Sequence, residues 1–269
     1  MGAIAAGDPS LPVLLCLHGW GGSRDIWRRF LHLYGPSRFL VSLDMPGTWD
    51  SLPVEEWTSP ALAAWVLGVA DQLGVGKFAL MGHSMGGHLA AHVASTAPER
   101  VTDVILVNAA VYSDRLHSTH AYLAPGYGRP MLEVARLASG LLGILSYFAR
   151  ERDVGGIWRP LMRRSRYFYE HNKGEALTRQ LKCMVEFPFD PATIGLQTNI
   201  LVLHGEKDTV VPVAMAHELV AALDKLRGES APGSTRLIIY PRANHVPMDV
   251  DPAKFAVDVR AFLDGDRRG

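Results

Sequence analysis

Gly82-His83-Ser84-Met85-Gly86 sets a serine between glycines two residues away on either side, directly after the apolar run Phe78–Met81 and directly before a helical pattern that opens at Met85. A serine on such a strand-to-helix turn takes a strained backbone conformation that projects its hydroxyl, and the flanking glycines let strand and helix come close. The helix that follows turns the positive end of its dipole toward negative charge developing beside Ser84. A hydroxyl is a poor nucleophile until a base removes its proton and a third group orients that base. His245, in Pro-Arg-Ala-Asn-His (241–245), and Asp208, in His-Gly-Glu-Lys-Asp (204–208), each follow a further apolar run of strand length. Ser84 as nucleophile, His245 as base and Asp208 as orienting acid suit acyl transfer. Two other acids compete with Asp208: Glu206, two residues earlier, and Asp114, beyond the run Val104–Val107. Asp208 is preferred because it closes the turn that Gly205 and Pro212 bound.

Acyl transfer also needs donors fixed where an oxyanion develops, each worth about 3–4 kcal/mol. His18-Gly19-Trp20-Gly21-Gly22 follows the run Val13–Leu17, and a glycine-bracketed turn there can aim a backbone N–H at a reacting carbonyl. Trp20 and Met85 are the amides expected to do so; an ordinary glycine turn is the plainer account of the first. His88 and His92 lie four apart on one helix, but lack both an H-E-x-x-H glutamate and a third ligand at metal spacing, so neither a zinc site nor any cofactor is expected.

For these residues to meet, the strands that precede them must end at one sheet edge. Strand-length apolar runs at Val13–Leu17, Phe39–Leu43, Phe78–Met81, Val104–Val107, Ile200–Leu203 and Leu237–Tyr240 alternate with helical patterns at Ser59–Leu73, Met85–Ala97, Val213–Leu223 and Pro252–Leu263. That alternation predicts an α/β fold: a mainly parallel sheet of about six or seven strands, with helices on both faces. The alternation lapses once, over about 80 residues. The expected division is therefore a core of 1–111 and 196–269, with 112–195 inserted as a helical cap over the carboxyl edge, where open α/β sheets bind ligands.

Composition narrows the class. The chain of 269 residues balances 27 Lys and Arg against 27 Asp and Glu and is 48% hydrophobic, which excludes a disordered chain and gives no charge basis for binding nucleic acid. Cys16 and Cys183 make no disulfide framework and are expected reduced. The first residues carry neither a basic segment nor a signal-length apolar stretch, and the apolar run 137–149 is 13 residues long, short of the roughly 20 that span a bilayer. A cytoplasmic location without a membrane span is expected. Within the cap, Arg150, Arg152, Arg159, Arg163, Arg164 and Arg166 outnumber Glu151 and Asp153. A solvated helix face accounts for that excess most simply; an acidic acyl carrier protein is the partner it would otherwise suit, through Arg159, Arg163, Arg164 and Arg166. Leu141, Leu142, Leu145, Tyr147 and Phe148 are expected to pack the cap onto the sheet, with an acyl pocket as the alternative.

Nearly the whole chain resembles the α/β-hydrolase family: His-Gly-Trp-Gly-Gly, Asp44-Met-Pro-Gly47, Gly-His-Ser-Met-Gly-Gly, Ala97-Pro-Glu-Arg-Val101, Gly-Glu-Lys-Asp and Asn-His all have counterparts there. Within the family it looks like the small carboxylesterases, including the carrier-protein methyl ester esterases. The resemblance implies Ser84, Asp208 and His245 as a triad in the family's order, Trp20 and Met85 as amide donors, and a serine carboxylesterase acting on a small or acyl-chain ester. The same triad supports thioester, C–C bond or lactone hydrolysis, and the fold is also kept by ligand receptors and cyclases with negligible turnover. Two departures stand out. About a dozen residues precede Val13, so the usual opening hairpin is expected to be shortened or absent, and the loop after Asp44 carries Trp49, which with Trp57 is expected to wall the site differently.

Overall fold

A computed structural model describes residues 1–35, 37–116, 174–228 and 230–265. Seven strands form one sheet: β1 (Ala3–Ala6), β2 (Val13–Leu17), β3 (Phe39–Leu43), β4 (Phe78–His83), β5 (Val101–Val107), β6 (Asn199–Gly205) and β7 (Thr235–Tyr240), in the order β1-β3-β2-β4-β5-β6-β7. All neighbours pair in parallel except β1 with β3, which runs antiparallel from Ala3 opposite Leu43 to Ala6 opposite Leu40. Before β2 the chain forms one four-residue edge strand.

The helices divide between the faces. On one lie α2 (Ser59–Gln72), α3 (Met85–Thr96) and α5 (Val213–Arg227), which share a core with Val13, Leu15 and Leu17 of β2. On the other lie α1 (Arg28–Tyr34), α6 (Pro247–Val250) and α7 (Pro252–Asp264), which share a second core with Leu14 and Cys16. Alternate residues of one strand feed two separate cores, so the central strands read as unbroken apolar runs. β5 and β6 begin earlier than their apolar runs because Asp103 and Asn199 are buried polar residues that pair with each other, Asn199 Nδ2 donating to Asp103 Oδ1 at 3.0 Å.

The chain leaves β2 for β3 on one side, then returns for β4 on the other, so β2 and β4 are neighbours whose connections depart in opposite directions. Crevices at such a switch point are where open α/β sheets take ligands. The loop after β2 carries His18-Gly19-Trp20, and Ser84 stands directly between the end of β4 and the start of α3.

Of the expected cap, the described residues include a turn at Ser113–Arg115, helix α4 (Gly174–Glu186) and a turn at Pro191–Thr193. The apolar run 137–149 and the arginines from Arg150 to Arg166 lie outside the described residues. Among the described residues no helix is long and apolar enough to cross a membrane.

Candidate active site

β4 runs two residues past its apolar run, to His83, so Ser84 follows the strand without a loop and α3 starts at the next residue. Ser84 has φ 54° and ψ −116°, a positive φ that costs a non-glycine residue on the order of 1–3 kcal/mol and persists only where the surroundings impose it. The imposition is visible: Ser84 N–H donates to the Val107 carbonyl at 2.9 Å, while the Ser84 carbonyl accepts from Gly87, His88 and Ala110 at 3.0–3.1 Å. A Cβ on Gly86 would sit 2.5 Å from the His18 carbonyl oxygen, so glycine there lets α3 close onto the end of β2.

The loop after β2 lies against the same turn. A Cβ on Gly19 would stand 3.1 Å from Ser84 Cβ and 2.9 Å from His83 Nδ1. His18 organises this loop from within: Met45 N–H donates to His18 Nε2 at 2.9 Å, so the other ring nitrogen is the protonated one and donates to the Gly19 carbonyl at 2.7 Å. Burial pushes the His18 pKa down and keeps the ring neutral in that role. Trp20 Nε1–H reaches the Leu177 carbonyl of α4 at 2.9 Å, and Gln180 Nε2 of the same helix donates to the Pro46 carbonyl at 3.0 Å. Helix α4 is therefore pinned to the loops after β2 and β3.

Asp208 and His245 come together at the next strand ends. His245 Nδ1–H donates to Asp208 Oδ2 at 2.7 Å, with the carboxylate fully buried and the His245 side chain 21% exposed. Asp208 Oδ1 accepts the amides of Val210 and Val211 at 2.8 and 3.0 Å. Burial alone would raise this carboxyl's pKa, but hydrogen bonds from His204, His245 and Asn108 outweigh it and hold the group well below the usual carboxylate range. A buried anion with this many donors is a fixed counter-charge for an imidazolium.

Neither rival acid is placed this way. Glu206 is exposed on the turn, and Asp114 is exposed in the Ser113–Arg115 turn. The residue at the end of β5 that does reach the acid is Asn108, which sequence reading passed over; its only signal was a polar side chain directly after a buried run, before two alanines. His83 was likewise read only as a motif spacer. Its ring centroid lies 4.7 Å from that of His245.

Trp49 holds a positive φ of 47°, and Trp57 lies beside Gly47. The rings of His88 and His92 are 4.7 Å apart, and among the described residues no group of three or more His, Cys, Asp or Glu side chains is arranged to hold a metal ion. At the carboxyl edge stand a serine in a strained backbone conformation, an imidazole with a buried carboxylate behind it, and a glycine loop beside a helix N-terminus, residue types that acyl transfer uses.

A family model described as the alpha/beta hydrolase fold matches residues 12–130. The chain is 27% identical over 230 residues to the uncharacterized hydrolase YugF of Bacillus subtilis, with 80% of each protein covered. It is 24% identical over 258 residues to a pimeloyl-[acyl-carrier protein] methyl ester esterase of Vibrio parahaemolyticus, covering 93% of this chain and 94% of that one. Among solved structures, the enol-lactonase from Burkholderia xenovorans superposes with a TM-score of 0.73 at 19% identity, over 98% of this chain and 96% of that one.

Proposed function

With the α/β-hydrolase fold as premise, we propose that the chain is a serine hydrolase that cleaves a carboxylic ester through an acyl-enzyme. The observation that carries the reading is Ser84 at φ 54°, on the same sheet edge as a buried Asp208 bonded to His245 at 2.7 Å. Ser84 Oγ attacks the ester carbonyl while His245 Nε2 takes its proton. Asp208 keeps His245 in the tautomer with Nδ1–H, which leaves Nε2 free to act as base, and then stabilises the imidazolium. The amides of Trp20 and Met85 receive the oxyanion, one from the glycine loop and one from the first residue of α3. His245 returns the proton to the departing alcohol, and water repeats the cycle on the acyl-enzyme. No cofactor takes part.

The acyl portion is the part that relatives inform. The Vibrio relative acts on a methyl ester of a carrier-bound acyl group, and a carboxylic ester of a small or acyl-chain substrate is the class we assign. Helix α4, tied to the loops after β2 and β3, is the described part of the expected cap that we place beside the acyl group.

The test is active-site labelling with a fluorophosphonate probe together with hydrolysis of p-nitrophenyl esters of increasing acyl length. Stoichiometric labelling and turnover, both removed by Ser84→Ala, are expected. Turnover that survives Ser84→Ala would sink the serine mechanism, and labelling without turnover would make the protein a receptor that keeps the fold.

A further inference from the structure

Asn108 stands just past β5 with φ 45°, in the left-handed region that asparagine tolerates better than most residues. Its backbone N–H donates to the Leu203 carbonyl of β6 at 2.9 Å. Its side chain is fully buried and touches two partners at once: Nδ2 lies 2.5 Å from Asp208 Oδ2 and 3.3 Å from the Asn244 carbonyl oxygen. Both partners only accept, so the atom that faces them is the amide NH2, with one hydrogen for each. The amide oxygen is then buried and makes no hydrogen bond among the described residues. An unpaired buried oxygen costs on the order of 1–3 kcal/mol, which an aliphatic side chain of similar size would avoid. What the amide provides in return is a link between the acid-bearing turn and the residue next to His245.

We propose that Asn108 is a positioning residue that locks Asp208 and the His245 loop into one unit. The inference rests on the triad reading above and adds a fourth member to it. Asp208 Oδ2 faces three donors: His245 Nδ1 at 2.7 Å, His204 Nε2 at 3.5 Å and Asn108 Nδ2. His204 also donates to the Val211 carbonyl at 2.9 Å, so its hold on the carboxylate is divided. The titratable groups packed on the pair are His204 from β6 and His83 from the end of β4. Asn108 is the donor here that carries no charge at any pH. It fixes the direction of Oδ2 without competing for the proton on His245, and through Asn244 it fixes the backbone from which His245 hangs.

The test compares kcat and KM for p-nitrophenyl butyrate from pH 6 to 9 in the wild type, Asn108→Leu and Asn108→Asp, with thermal unfolding as the check on folding and Ser84→Ala as the check on the mechanism. Asn108→Leu keeps the volume and deletes the donor; kcat should fall about ten- to a hundredfold with KM within about twofold. In Asn108→Asp a carboxyl takes the amide's place beside Asp208, and two such groups share one proton. The shared proton restores a donor to Asp208, and its loss sets two carboxylates against each other. The ratio of kcat/KM in Asn108→Asp to that in the wild type should therefore drop threefold or more as pH rises from 6 to 9. A ratio that changes by less than threefold overturns the proposal, because a residue needed only for folding would lower activity alike at every pH. If Asn108→Leu does not fold, that ratio alone decides. Activity that persists in Ser84→Ala would instead bring down the triad reading on which this inference stands.

Discussion

His83 donates its Nε2–H to the backbone carbonyl of His245 at 2.7 Å, and the two rings lie 4.7 Å apart. The residue before the proposed nucleophile thus grips the main chain of the proposed base. Burial, with the neighbouring His245 ring second, pushes the His83 pKa down to about 3, so the ring stays a neutral donor throughout the working range. His83→Phe keeps an aromatic ring and removes the donor, and kcat should fall about tenfold, the worth of one buried hydrogen bond. His83→Gln keeps a donor and should lose less. A smaller loss in His83→Phe than in His83→Gln would show that ring packing, not the hydrogen bond, is what His83 supplies.

The acid assignment separates from its rival by one comparison. Asp208→Asn should lower kcat by roughly three to four orders of magnitude, because a carboxamide no longer fixes the tautomer of His245 or balances its charge. Asp114→Asn, at an exposed turn, should leave kcat within about twofold. The reverse result would move the acid to the end of β5 and leave Ser84 and His245 in their roles.

Acid should unfold the protein through its histidines before its carboxylates. His83 and His88 are both pushed down to about 3, by burial first and then by a neighbouring imidazole, His245 for one and His92 for the other. In the unfolded chain each takes up its proton near pH 6.5. Below that pH the unfolded state binds protons the folded state refuses, so stability is complete above about 6.5 and falls as pH drops toward 3, by up to ~1.4 kcal/mol per pH unit for each histidine. Asp208, held low, adds its own loss only below the ordinary aspartate range. Urea midpoints should decline between pH 7 and 4.5, and His88→Leu should flatten that decline. A midpoint constant over this range would remove the claim.

Trp20 offers a test of the contact with α4. Trp20→Phe deletes the bond from Nε1 to the Leu177 carbonyl while leaving the backbone amide in place. A loss of about two- to tenfold in kcat is expected from one hydrogen bond, with fluorophosphonate labelling still stoichiometric. No change in kcat would mean that the loop keeps its shape without α4.

The strands that matter were legible because each is an apolar run of five or so residues, and the candidate site residues could be nominated because each follows such a run. Val13–Leu17 and Phe39–Leu43 match the structure to the residue. The helix α1 was not foreseen: it is seven residues long, and its buried face is aromatic, with Phe30 packed on Tyr34, Phe255 and Trp27, too short a stretch to show a helical period. Asn108 escaped for a different reason. Its partners, Asp208 and Asn244, lie 100 and 136 residues away in the chain, and only the β5–β6–β7 order brings them to it. Side chains that act on reacting groups announce themselves by type; those that hold such groups are ordinary residues in the right place.

Ser84 and His245 are moored very differently. The serine's main chain is tied by four hydrogen bonds, to Val107, Gly87, His88 and Ala110, whereas the partly exposed loop of His245, beyond the edge strand β7, depends on bonds from the side chains of His83 and Asn108. Local opening begins where few buried contacts hold the chain. Gentle heating or dilute denaturant should then unseat the proposed base while the proposed nucleophile keeps its geometry, so that activity fades reversibly ahead of global unfolding. Inactivation and denaturation would be two separate events in this protein, and storage conditions that protect the second need not protect the first.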